Sequence, residues 1–78
     1  MRILFFAQLK DVVGHAQIEL ATGDVDSDGL WRTLIAVHPG LAPFRGCVRL
    51  AKDSEYVGRE AGFTDTDEVA LIPPVSGG

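Results

Sequence analysis

The chain has 78 residues, 46% hydrophobic and 23% charged, enough for one small soluble domain with a thin core. Its formal net charge of −4 argues against nucleic acid, whose phosphates are held by lysine and arginine, and admits a partner with a basic face. No apolar run approaches the roughly 18 residues that span a bilayer, so no membrane partner is expected. The lone cysteine, Cys47, excludes an internal disulfide or four-cysteine zinc site and suits a reducing cytoplasm.

Residues 1–7, Met1-Arg2-Ile3-Leu4-Phe5-Phe6-Ala7, are β-formers and aromatics and predict a first strand. They are too short for a signal peptide and turn polar at Gln8 and Lys10. With a period of two, Ile3 and Phe5 share one face, and Leu4 and Phe6 the other. Gly14 marks a turn, and Ala16-Gln17-Ile18-Glu19-Leu20 alternates as a half-buried second strand, the two joined as a hairpin with a long loop. Asp26, Ser27 and Asp28 all suit a helix N-cap. Leu30, Trp31, Leu34, Ile35 and His38 then fall on one helical face, and His38-Pro39-Gly40 ends the helix. Such a helix, about ten to twelve residues long, is marginal alone and must pack on a sheet.

Residues 41–46 read as a loop and 47–51 as a third strand, with Cys47 as a half-buried strand thiol or, less simply, a catalytic one. Lys52-Asp53-Ser54 reads as a turn, 55–57 as a short strand, and 58–66 as irregular with Phe63 plugging the core. Glu68-Val69-Ala70-Leu71-Ile72 is the last strand, expected beside the first and parallel to it. The acidic groups Asp24, Asp26, Asp28 and Asp65, Asp67, Glu68 read as solvated loops; the first resembles the start of a calcium loop but lacks the closing glutamate. The order of elements is that of a two-layer α+β fold, a β-grasp or ubiquitin-like mixed sheet with one main helix across it. One β-grasp domain over 1–78 is expected, with 73–78 as a flexible tail.

No Gly-x-Ser-x-Gly, P-loop or His-Glu-x-x-His motif occurs. His15 and His38 lie far apart in sequence; His38, before a proline, suits a helix C-terminus better than a catalytic role. The remaining candidate is Gly77-Gly78 and its carboxylate. Pro73 and Pro74 project the last residues away from the domain, and two glycines let a backbone enter a channel too narrow for a Cβ. Six extended residues reach about 20 Å. From the residues alone two readings stand: a carboxylate built for insertion into another protein, or a chain end without a role. A carboxylate is a poor acyl donor and would need activation, most simply as an anhydride with AMP.

Phe5-Phe6-Ala7-x-Leu9-Lys10 with Gly14, the helix exit His38-Pro39-Gly40-Leu41, and above all Asp67-Glu68-Val69-Ala70-Leu71-Ile72-Pro73-Pro74-Val75-Ser76-Gly77-Gly78 resemble the small subunits of molybdopterin synthase. The resemblance spans the whole chain. It implies that Gly78, with Gly77 before it, is adenylated by an activating enzyme similar to ubiquitin E1. Sulfur from a donor protein then replaces AMP to leave a thiocarboxylate. The tail enters the large synthase subunit, which holds the catalytic residues, and sulfurates cyclic pyranopterin monophosphate to the dithiolene of the molybdenum cofactor. The family assembles as a heterotetramer. No cofactor is expected on this chain; ATP is used by the activating enzyme. Related readings are a sulfur carrier for thiamine or cysteine synthesis and a ubiquitin-like modifier.

Two departures from the family pattern stand out. Asp65-Thr66-Asp67-Glu68 replaces Asp-Gly-Asp-Glu, and threonine is poor at positive φ. Ala51-Lys52-Asp53-Ser54-Glu55-Tyr56 replaces Ala-Val-Asn-Gln-Glu-Tyr. Finally, Phe6 beside Ile72 would form an apolar patch at the root of the tail, so Phe6, Ile72 and Pro73 are expected to bind partners, with Pro74, Val75 and Ser76 continuing into the partner's channel. The opposite face assignment would make Phe6 core.

Overall fold

Alternating burial along the first and last strands sets the architecture. The computed structural model describes residues 1–58 and 60–73. Strand β1 (Arg2–Phe5) pairs antiparallel with β2 (Gln17–Glu19) and parallel with β7 (Glu68–Ile72). On its other side β7 pairs antiparallel with β4 (Arg49–Lys52), which pairs with β5 (Glu55–Tyr56). The order β2-β1-β7-β4-β5 makes β7 the middle strand, held by ladders on both edges. A second small ladder joins β3 (Val25–Asp26) to β6 (Gly62–Phe63).

Helix α2 (Ser27–Val37) lies across one sheet face. It starts where Asp26, in extended backbone, accepts a hydrogen bond on its carboxylate from the Gly29 N–H at 2.8 Å. That satisfies one orphan donor of the first turn and places negative charge at the positive end of the helix dipole. The helix stops at His38, as Pro39 requires, with the His38 N–H still bonded to the Leu34 carbonyl. Leu30, Trp31 and Leu34 are buried against Ile3, Phe5, Leu50, Phe63, Val69 and Leu71, and Ile35 packs at the edge of this cluster. The fold is thus the β-grasp expected from the sequence: a mixed sheet with one main helix packed across it.

Five local expectations are corrected. The loop between the first two strands contains a helix, α1 (Gln8–Val13). It is six residues long, buries Leu9 and Val13 one turn apart, and closes at Gly14 in the left-handed region (φ 85°). Residues 41–46 are no simple loop, since a 3₁₀ helix spans Pro39–Phe44 and buries Leu41. The third strand starts at Arg49, because the Phe44 carbonyl accepts both the Cys47 and Val48 N–H groups and keeps them from the ladder. Cys47 is therefore exposed, not half-buried, its thiol 3.5 Å from the Phe44 carbonyl oxygen. The irregular stretch after Gly58 includes β6, and Phe63 is 1% exposed, plugging the core as anticipated.

Both departures from the family pattern are accommodated. Thr66 does not adopt positive φ; the turn closes by the Asp67 N–H to the Thr64 carbonyl at 3.1 Å. The Asp67 carboxylate accepts the Thr64 N–H at 2.8 Å and lies 3.9 Å from the Lys52 ammonium. Asp65 ties the neighbouring loop by accepting the N–H groups of Thr22 and Gly23. The β4–β5 turn uses positive φ at Asp53 (49°) and Ser54 (73°), the pair of left-handed residues that a tight two-residue hairpin requires.

Candidate docking site

The helices cover one face of the sheet, and the other face is open. Cross-strand register arranges that open face in rows. Nearest the exit of β7 lie Phe6, Ile72 and Arg49, the last two directly paired. The next row is Gln17, Leu4, Ala70, Ala51 and Tyr56, each paired with its neighbour across four ladders. Farthest from the exit is a charged row, in which Arg2 donates to Glu68 at 3.1 Å and approaches Glu19 at 3.8 Å.

The two apolar rows form a dent of about 260 Å³ walled by Leu4, Phe6, Tyr56 and Ile72, with Ala51 and Ala70 between the walls. Phe6 is 47% exposed and Tyr56 58%, although both are large and apolar. Arg49 stacks over the Tyr56 ring at 4.4 Å from its centroid, which holds the phenol that walls the dent from behind. The face assignment read from the sequence is the observed one: Ile3, Phe5, Val69 and Leu71 point into the core at 0–2% exposure.

Phe6 stands just outside β1, at the first position of a β-turn closed by the Leu9 N–H to the Phe6 carbonyl at 3.1 Å. Ala7 follows with φ 50° and ψ −129°, a conformation that glycine adopts easily and alanine does not. Leu9, fully buried, anchors the far side of the turn. The turn thus holds Phe6 on the open face while the chain reverses into α1.

Of the site residues expected from sequence, the structure brings Phe6, Ile72 and Pro73 to one end of the sheet. Pro74, Val75, Ser76, Gly77 and Gly78 lie outside the described residues. Sequence reasoning missed Ala51, Tyr56 and Arg49 as parts of this surface. Their signal was present in the alternation of 49–51, but their nearness to Ile72 and Ala70 depends on the register of β4 against β7. Among the described residues no group of three His, Cys, Asp or Glu side chains is placed to hold a metal ion. His15 is exposed, and His38 packs edge-on against Phe5 with ring centroids 6.5 Å apart. No helix of the described residues is long and apolar enough to cross a membrane.

The fold and the open face at the root of the last strand define a ubiquitin-like protein of the β-grasp class. The crystal structure of SAMP1 from Haloferax volcanii superimposes with a TM-score of 0.83 at 26% identity, covering 100% of this chain and 98% of that one. The same fold recurs in a protein–protein complex of subunits 1 and 2 of molybdopterin-converting factor from Helicobacter pylori 26695, with a TM-score of 0.65 at 23% identity over 99% of this chain and 96% of that one. The sequence matches the ThiS family over residues 3–78, and the chain belongs to that family. Among its curated relatives, the molybdopterin synthase sulfur carrier subunit of Chlamydomonas reinhardtii is 39% identical over 83 residues, spanning 100% of this chain and 98% of that protein.

Proposed function

We propose that this chain is the sulfur carrier subunit of a molybdopterin synthase. The observation that carries the reading is the full-length similarity to curated subunits of that name, at 30–39% identity across 99–100% of the chain. The fold supplies a rigid base for such a role. Strand β7 is clamped on both edges, so whatever follows Pro73 leaves from the best-anchored strand of the sheet.

On this reading Gly78 is the carrier group and Gly77 lets the backbone through a narrow channel. A carboxylate oxygen of Gly78 attacks the α-phosphorus of ATP on an E1-like adenylyltransferase, releasing pyrophosphate and forming an acyl adenylate. Hydrosulfide supplied by a donor protein attacks the acyl carbon and displaces AMP, leaving a thiocarboxylate and releasing a proton. The tail then enters the large synthase subunit, where the thiocarboxylate sulfur bonds to a carbon of the pterin precursor and water cleaves the acyl–sulfur bond, returning the carboxylate. Catalytic groups belong to the large subunit, and this chain contributes position: holding a reactant in place can lower a barrier by roughly 7–11 kcal/mol at best. Phe6, Ile72 and Pro73 lie against the partner, while Pro74, Val75 and Ser76 line the way in. A heterotetramer of two small and two large subunits in a reducing cytoplasm fits this scheme.

Deletion of Gly78 tests the reading. In a reconstituted system of activating enzyme, sulfur donor, large subunit and precursor, the truncated chain should give no dithiolene. Intact mass of the full-length chain after activation should rise by the difference between a sulfur and an oxygen atom. Undiminished pterin sulfuration by the truncated chain would refute the proposal. Conjugates to lysines in place of the mass shift would favour a protein modifier.

A further inference from the structure

The dent in the open face has a floor made of the two smallest apolar side chains on that face, ringed by four of the largest, with Ser54 and Glu68 at its polar edge. Leu4, Ala70, Ala51 and Tyr56 are consecutive partners across β1, β7, β4 and β5. Alanine in the middle of a sheet is disfavoured relative to β-branched or aromatic residues, and two alanines paired side by side forgo cross-strand packing. The local cost is offset if the space is filled by something else. Ala51 is buried and Ala70 half-buried, whereas Phe6 and Tyr56 rise beside them largely exposed.

The geometry points to Ala51 and Ala70 as specificity-determining residues. Their small size leaves a socket for one bulky apolar side chain, aromatic or branched aliphatic, projecting from the large synthase subunit. This inference rests on the functional reading above. The occupant follows from continuity with the chain exit: Ile72 walls the socket and is the residue before Pro73, so a protein that receives the chain beyond Pro73 has this face beside it. The rest of the surface fits such a partner. Apolar pockets walled by aromatic residues, once a partner closes them off from water, are where interface energy concentrates. Here Arg49 is already ordered on Tyr56, and the charged row of Arg2, Glu19 and Glu68 sets a polar rim on the side away from the tail.

The test is titration calorimetry of full-length chains against the purified large subunit of the same organism. Ala70→Leu fills the socket without entering the core, because Ala70 faces away from α2. It should weaken binding by at least about tenfold, as overpacking a formed contact does. Ala51→Leu, on the adjacent strand, should do the same, which guards against a folding defect in either variant. Ala70→Gly keeps the space and should bind within about threefold of wild type, a difference of about 0.7 kcal/mol. Circular dichroism melts establish that each variant is folded. Wild-type affinity in both leucine variants would overturn the socket. Equal weakening by Ala70→Gly and Ala70→Leu would also overturn it, by making the alanine methyl, not the space, the determinant. If wild type itself does not bind the large subunit, the functional reading fails instead.

Discussion

Phe5 and Phe6 are neighbours of identical chemistry with opposite surroundings, so one substitution at each separates folding from docking. Phe5 is 2% exposed and packs in the core, whereas Phe6 is 47% exposed on the open face. Truncating a buried phenylalanine removes transfer energy and leaves a cavity, about 3–5 kcal/mol together. A domain of this size has a total stability of roughly 4–12 kcal/mol, so Phe5→Ala should remove about a quarter or more of it and lower the melting temperature by well over roughly 10 °C, unfolding the chain outright if its stability lies at the low end. Phe6 keeps about half its surface in water, and full burial of such a side chain is worth about 1.5–3 kcal/mol, so its loss should cost the fold only about 1 kcal/mol. Phe6→Asp should therefore melt cooperatively, lowered by about 4–8 °C. Against the large subunit the same change removes an aromatic anchor and places a carboxylate in a surface that binding dehydrates. A loss of at least about 2 kcal/mol, or roughly thirtyfold in Kd, is expected. Thermal melts followed by circular dichroism and titration calorimetry read the two effects separately. A folded Phe6→Asp chain with wild-type affinity would refute the docking role of the open face. An unfolded one would refute the assignment of Phe6 to that face.

Two further substitutions probe the local devices that build the site. Ala7→Gly should raise stability by about 0.5–1 kcal/mol, because the strain of alanine at φ 50° exceeds the extra backbone freedom that glycine gives the unfolded chain; an unchanged or lower melting temperature would argue against strain there. Asp26→Ala removes the cap on the Gly29 N–H and a charge at the helix start, and should cost about 1 kcal/mol in urea denaturation, with Asp26→Ser recovering most of it.

The strongest local signals in the chain were capping, periodicity and termination. Asp26 followed by Leu30, Trp31, Leu34 and Ile35 and stopped by Pro39 specifies α2, because the N-cap bond and the apolar face are separated by only a few residues. The five-residue alternation at Glu68–Ile72 specifies β7 and its faces in the same way, and the parallel pairing with β1 follows from the crossover between them. Helix α1 was legible in principle from Leu9 and Val13 at a spacing of four. It was masked by its length, since six residues give one apolar repeat and little propensity. The exposure of Cys47 was not legible from period two, because that pattern presumes a ladder and the Phe44 carbonyl had already taken the N–H groups.

What the sequence by itself determined is therefore the order of elements, the helix with its cap, the core face of the first and last strands, and the family resemblance. Each depends on residues within a turn or a strand of one another, or on a match along the chain. What only the tertiary structure decided is the composition of the open face. Leu4, Ala70, Ala51 and Tyr56 become one row through three separate ladders, the parallel one joining residues 66 apart. The bridge between Val25 and Phe63, the Asp65 clasp on Thr22 and Gly23, and the placement of Arg49 over Tyr56 are likewise set by register and chain closure. A shift of one residue in β4 against β7 would turn Ala51 inward and Leu50 outward, with no change in the local pattern of either strand. The floor of the dent is a property of that register, and register is fixed by burying Leu50 and Leu71 together in the core.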